Sequence, residues 1–125
     1  MTADTRVLVV EDEDPVRELL TVTLEGAGYQ VLEAGDAEQA KQVVGDLSPD
    51  LMLLDWMLPG MNGLELLATL RDRGGCAEVP ALALSADAMP EQVARGLEAG
   101  FARYLTKPID LEELESAIAV NCAAA

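Results

Sequence analysis

The chain has 125 residues, half of them apolar, with 23 acidic against 8 basic side chains, no histidine and a formal net charge of −15. That length suits one domain with its own core and no need of a disulfide or metal staple. The acidity excludes a nucleic-acid backbone or an anionic membrane as direct ligand, since both demand a basic footprint and the few Lys and Arg are scattered.

Short β-rich apolar runs alternate with segments of helical period. The first run is Val7-Leu-Val-Val10. Asp14-Pro15 reads as an N-cap with proline at the first helical position. Val16, Leu19, Leu20 and Leu24 then share a face, closed by Gly26 and Gly28. A second strand falls at Gln30-Val-Leu32. Asp36 caps a second helix, with Gln39 three residues on and Ala40, Val43 and Val44 inside. Leu51-Met-Leu-Leu54 is the third strand. Pro59-Gly60 and Asn62-Gly63 are turn chemistry opening a third helix through Leu66, Leu67 and Leu70, closed by Gly74-Gly75. Ala81-Leu-Ala-Leu84 is the fourth strand. Pro90 opens a fourth helix with Val93, Ala94 and Leu97, ended by Gly100, and its apolar face is the weakest. Arg103-Tyr-Leu105 is the fifth strand. Asp110 caps a fifth helix, Glu113 completing a capping box, with Leu111, Leu114 and Ile118 inward.

The strand–helix unit occurs five times. Continuously apolar strands require a sheet covered on both faces, and alternation with helices makes the strands parallel. A doubly wound α/β fold follows, with ligands expected beyond the carboxyl ends of the strands. One domain is expected over 1–125, its core about 5–120, with a short Ala-rich tail.

Polar residues stand at that edge: Glu11 and Asp12 after the first strand, Asp55 after the third, Ser85 after the fourth and Lys107 after the fifth. Each alone would pass for a solvated turn residue; together they are chemically coherent. Three converging carboxylates repel one another, and a cation relieves this. Oxygen donors without His or paired Cys suit a hard ion such as Mg²⁺. Aspartate is a nucleophile for phosphoryl groups. The metal and the Lys107 ammonium would stabilise charge on the phosphoryl oxygens, and the Ser85 hydroxyl can donate to one of them.

Glu11-Asp12, Asp55-Trp-Met-Leu-Pro-Gly60, Leu84-Ser-Ala86 and Tyr104-Leu-Thr-Lys-Pro108, in this order, resemble the receiver domain of two-component response regulators. The resemblance covers about residues 5–120. It implies a flavodoxin-like five-stranded sheet in the order 2-1-3-4-5, which brings these residues together. It implies Asp55 as phosphoacceptor, and Mg²⁺ held by Glu11, Asp12, Asp55 and the Met57 carbonyl. It makes Lys107 and Ser85 phosphoryl-stabilising, and Ser85 and Tyr104 the switch pair, with Tyr104 turning from exposed to buried. The expected partners are a histidine kinase or histidine phosphotransfer protein, and a downstream protein meeting the fourth helix, fifth strand and fifth helix. The chain is expected to be a signalling domain rather than an enzyme, although it assists its own phosphorylation and dephosphorylation. A cis Lys107-Pro108 bond is expected, since the chain must aim the ammonium and then turn within two residues to the Asp110 cap.

The acid pair is Glu-Asp where Asp-Asp is also common, and Ser85 stands where Thr is commoner. The stretch from Ala83 to Pro90 with Lys107-Pro-Ile-Asp110 resembles receivers of hybrid kinases, whereas Asp-Trp-Met-Leu-Pro-Gly points to transcriptional regulators. An aspartyl-phosphate phosphatase would want an acid where Met57 stands. A flavodoxin would want a phosphate loop where Glu11-Asp-Glu-Asp14 stands. Trp56 is read as half-buried packing, and Met52, Met57, Met61 and Met89 as core and loop packing. Cys76 and Cys122 are far apart, without CxxC, which fits a reduced cytoplasmic setting. Met1-Thr-Ala-Asp-Thr5 is polar and lacks the apolar stretch of a signal peptide, and with only Asn121-Cys-Ala-Ala-Ala125 after the fifth helix a protein contact rather than DNA is the expected output of this chain.

Overall fold

A computed structural model describes residues 5–44, 49–72, 76, 78–86 and 89–121. The elements are β1 (Arg6–Val10), α1 (Asp14–Gly26), β2 (Gln30–Ala34), α2 (Ala37–Val44), β3 (Leu51–Asp55), β4 (Met57–Leu58), β5 (Met61–Asn62), α3 (Gly63–Arg71), β6 (Ala81–Ser85), α4 (Pro90–Ala99), β7 (Arg103–Thr106) and α5 (Leu111–Asn121). The main sheet is parallel, in the order β2-β1-β3-β6-β7. Leaving out β4 and β5, this is 2-1-3-4-5. Those two strands form a small antiparallel hairpin that the sequence reading lacked. Two-residue strands carry no readable period, and Pro59-Gly60 had suggested only a turn; Gly60 takes a φ of +77° there.

The alternation of side chains divides the core into two layers. Val7, Val9, Leu51, Leu53, Leu82, Leu84 and Leu105 meet Leu20 and Leu24 of α1 and Leu114, Ala117 and Ile118 of α5. Leu8, Val10, Met52, Leu54, Ala81 and Ala83 meet Ala40 and Val44 of α2 and Leu66, Leu67 and Leu70 of α3. The inner strands β3 and β6 are buried throughout, as a sheet covered on both faces demands. The edge strand β2 departs from that pattern and exposes Gln30 and Glu33.

Helix ends follow local chemistry, with corrections. Glu13, not Asp14, is the N-cap residue of α1, and Asp14 lies inside the first turn against Arg17. Proline tolerates either of the first helical positions, which left the boundary one residue open. The Asp36 carboxylate accepts the Gln39 N–H at 2.8 Å, while the Gln39 side chain takes the Gly35 N–H at 2.7 Å. Asp110 accepts the N–H groups of Glu112 and Glu113, and the Glu113 carboxylate lies 3.9 Å from Arg103. The full capping box is at α3, where Asn62 and Glu65 exchange bonds. Gly100 closes α4 at a φ of +115°. The expected stop at Gly74-Gly75, Cys122 and the Ala-rich tail lie outside the described residues. Among the described residues, no helix is long and apolar enough to cross a membrane.

Candidate functional site at the carboxyl edge of the sheet

The strand order sets β1, β3, β6 and β7 side by side, so their carboxyl ends share one edge. Ladder pairing runs one residue further than the apolar runs suggested. Asp55 pairs with Leu84 and Ser85 with Thr106, so both belong to their strands. This holds their backbones rigidly, a good base for a reacting group.

A cavity of about 360 Å³ opens at this edge, lined among others by Asp12, Asp55, Met57, Ser85 and Lys107. Asp55 and Ser85 are each 3% exposed and Glu11 wholly buried, whereas Asp12 is exposed. Oxygens of Glu11, Asp12 and Asp55 all lie within 4.8 Å of one another. Lys107 Nζ sits 2.6 Å from Glu11 Oε1 and 3.5 Å from both Asp55 Oδ1 and Glu13 Oε1. The Met57 N–H donates to Asp55 Oδ1 at 3.3 Å, while the Met57 side chain points to solvent. The Lys107–Pro108 peptide bond is cis.

Burial and the adjoining Glu11 carboxylate push the Asp55 carboxyl from 3.8 up to about 7, against the pull of Lys107 and the Met57 N–H. Burial of Lys107 favours its neutral form, but Glu11 and then the charges of Asp55 and Glu13 outweigh this and hold its pKa above the ordinary value. Three acids face one ammonium, which leaves an excess of negative charge for a cation to offset.

Tyr104 and Trp56 differ from expectation. Trp56 is buried rather than half-buried, its ring 5.4 Å from Tyr104 and 6.1 Å from Phe101. Glycines make room for it: a Cβ on Gly63 would come within 2.7 Å of the indole, and one on Gly96 within 3.4 Å. Tyr104 is already half-buried against Trp56, and its hydroxyl donates to Gln92 Oε1 at 3.2 Å. Of the methionines, Met52 is core, Met61 packs against the core, and Met57 and Met89 are exposed. Glu13 and Gln92 also line the cavity and were not singled out in the sequence. The acidic run from Glu11 to Asp14 carried a signal for Glu13; nothing marked Gln92.

These elements and this edge define a doubly wound α/β module with an acidic site at the carboxyl edge of its sheet. The chain belongs to the response regulator receiver domain family, whose model matches residues 7–119. It is 44% identical over 108 residues to the phosphate regulon transcriptional regulatory protein PhoB of Pseudomonas aeruginosa, covering 86% of this chain and 47% of that protein. It is 43% identical over 109 residues to the DNA-binding response regulator MtrA of Mycolicibacterium smegmatis, covering 87% of this chain and 46% of that protein. The chain thus spans about half the length of the curated relatives it matches. Among solved structures, the Vibrio cholerae chemotaxis protein CheY4 superposes with a TM-score of 0.89 at 28% identity, covering 95% of this chain and 99% of that one. A receiver domain from a signal transduction histidine kinase of Syntrophus aciditrophicus gives 0.83 at 28% identity, covering 97% and 92%. The domain is a receiver of two-component signalling.

Proposed function

We propose that Asp55 accepts a phosphoryl group from the phosphohistidine of a histidine kinase or a histidine phosphotransfer protein. The observation that carries this is a single buried carboxylate at the end of β3, facing a cavity with an ammonium 3.5 Å away and a hydroxyl residue, Ser85, beside it. An Asp55 oxygen attacks phosphorus, the P–N bond to the donor imidazole breaks, and its electron pair leaves on the imidazole nitrogen. The product is a mixed anhydride on Asp55. Lys107 offsets charge on the transferring oxygens, and Ser85 donates to one of them.

Glu11, Asp12 and Asp55, with the main-chain carbonyl of Met57, are the groups that would hold Mg²⁺. The donor set fits: all oxygen, with the three carboxylates within 4.8 Å of one another, and Asp55 held up in pKa by burial and then by the Glu11 carboxylate. When bound, the ion would neutralise charge on the carboxylates and on the phosphoryl oxygens.

Phosphorylation then biases two states of the module. Ser85 turns toward the new oxygens, and Tyr104 moves deeper against Trp56. The altered surface is α4, β7 and α5, and a protein partner reads it. The domain's own charge keeps it off DNA, and any DNA contact belongs to further parts of a longer protein, as the names of the relatives suggest. Incubation with acetyl phosphate and Mg²⁺, followed by intact-mass measurement, should add one phosphoryl group to the wild type and none to Asp55→Asn. Equal labelling of the variant would refute the assignment.

A further inference from the structure

We infer that Arg17 is a positioning residue for the acidic site: it fixes the peptide that carries Asp12, so that a cation finds that carboxylate in place. This rests on the reading of Asp55 as a Mg²⁺-assisted phosphoacceptor and adds a residue from outside the cavity lining. Arg17 stands on the first turn of α1, and its guanidinium is held from three directions. Nη1 donates to the main-chain carbonyl of Glu11 at 2.8 Å, Nη2 lies 2.5 Å from Asp14 Oδ1, and Nε lies 3.6 Å from Glu33 Oε1 on β2. Gly35 leaves it room, since a Cβ there would come within 3.2 Å of Nη1. The Glu11 carbonyl belongs to the peptide that joins Glu11 to Asp12, so a bond to that oxygen sets the plane from which Asp12 departs. The Glu11 N–H donates to the Ala34 carbonyl of β2 at 3.0 Å. The backbone ahead of Asp12 is thereby tied to β2 by its N–H and to α1 by its carbonyl. Asp12 itself is exposed, so its direction comes from this backbone rather than from packing. Only a planar fork meets three acceptors in different directions; an ammonium is a point charge. The charge of Arg17, taken alone, opposes a cation at the neighbouring acids, so a positioning role and a mere charge effect have opposite signs.

Mg²⁺ affinity, read from Trp56 fluorescence and calorimetry, separates the two. Arg17→Gln removes the repelling charge, yet should weaken Mg²⁺ binding about 10-fold. Arg17→Lys keeps the charge and should weaken binding in the same direction. Tighter binding in Arg17→Gln, or wild-type affinity in Arg17→Lys, would overturn the inference. In wild type, the Arg17 guanidinium should give slowly exchanging ¹⁵N signals that persist at saturating Mg²⁺. Their loss on adding the ion would show the guanidinium letting go as the site fills, and would also overturn it. That measurement needs no variant, so it stands even if Arg17→Gln fails to fold. In labelling by acetyl phosphate, the Mg²⁺ concentration giving half the maximal rate should rise in Arg17→Lys by a larger factor than the maximal rate falls. A lowered maximal rate at an unchanged half-maximal concentration would contradict it. A wild type that binds Mg²⁺ but takes up no phosphoryl group would sink the functional reading alone, since the affinity and exchange measurements do not depend on phosphorylation.

Discussion

At the scale of single residues, Asp55 is poised between two demands. Phosphoryl acceptance needs the carboxylate, but burial and Glu11 favour the protonated form up to about pH 7. Between 3.8 and about 7 the folded chain keeps a proton that the unfolded chain has lost. Stability without divalent cation should therefore fall as pH rises through that window and level off above it. Asp55→Asn removes the effect. In urea melts with a chelator, the variant should match wild type near pH 4 and exceed it at pH 8, by about 1–3 kcal/mol. A variant no more stable at pH 8 would contradict the buried-acid account. Mg²⁺ should raise the stability of wild type but not of Asp12→Asn, as a ligand specific to the folded state must.

Most of this site was legible in the sequence because strand ends fix where a side chain can be. Glu11, Asp12, Asp55, Ser85 and Lys107 needed only the strand order to converge. Glu13 showed only as part of the acidic run after β1, and Gln92 was not legible, since its contact depends on how far a side chain reaches across from another element. The half-burial of Tyr104 was likewise invisible, for it follows from the glycines that admit Trp56.

At the scale of elements, Gly63 and Gly26 make a contrast. A Cβ at Gly63 would meet the Trp56 ring at 2.7 Å and the Trp56 Cα at 3.1 Å, whereas one at Gly26 meets nothing within 4 Å. Backbone cannot yield as a flexible side chain can. Gly63→Ala should cost about 1–3 kcal/mol in thermal melts, and Gly26→Ala should be neutral or stabilise by about 0.4–1 kcal/mol. Equal effects would argue that Trp56 is not wedged against α3. The Asn62 cap is a second lever, and Asn62→Ala should cost about 1 kcal/mol. Reading Asn62-Gly63 as a turn hid this box, although Glu65 stood three residues on.

At the scale of the whole molecule, α4 buries the fewest residues of the described helices. Gly96 is its sole buried residue, and Leu97 is 49% exposed. Helices α3 and α5 each bury several side chains. Few buried contacts mean a low cost of local opening. Amides from 93 to 99 should therefore exchange faster than those inside α3 or α5, and should slow on phosphorylation if α4 is part of the responding surface. Uniform exchange across the three helices would contradict this. The weak face of α4 was visible in its sequence, because a helix lacking large residues at core spacing has little to bury.

The central claim, that Asp55 carries the phosphoryl group, has a direct chemical test. After exposure to acetyl phosphate and Mg²⁺, borohydride reduces an acyl phosphate to the alcohol, and peptide mass mapping locates the change. Conversion of Asp55 to homoserine, with Glu11, Asp12 and Glu13 untouched, is the expected result. Reduction at any of those three acids, or an unaltered Asp55 in a chain that has gained a phosphoryl group, would contradict it.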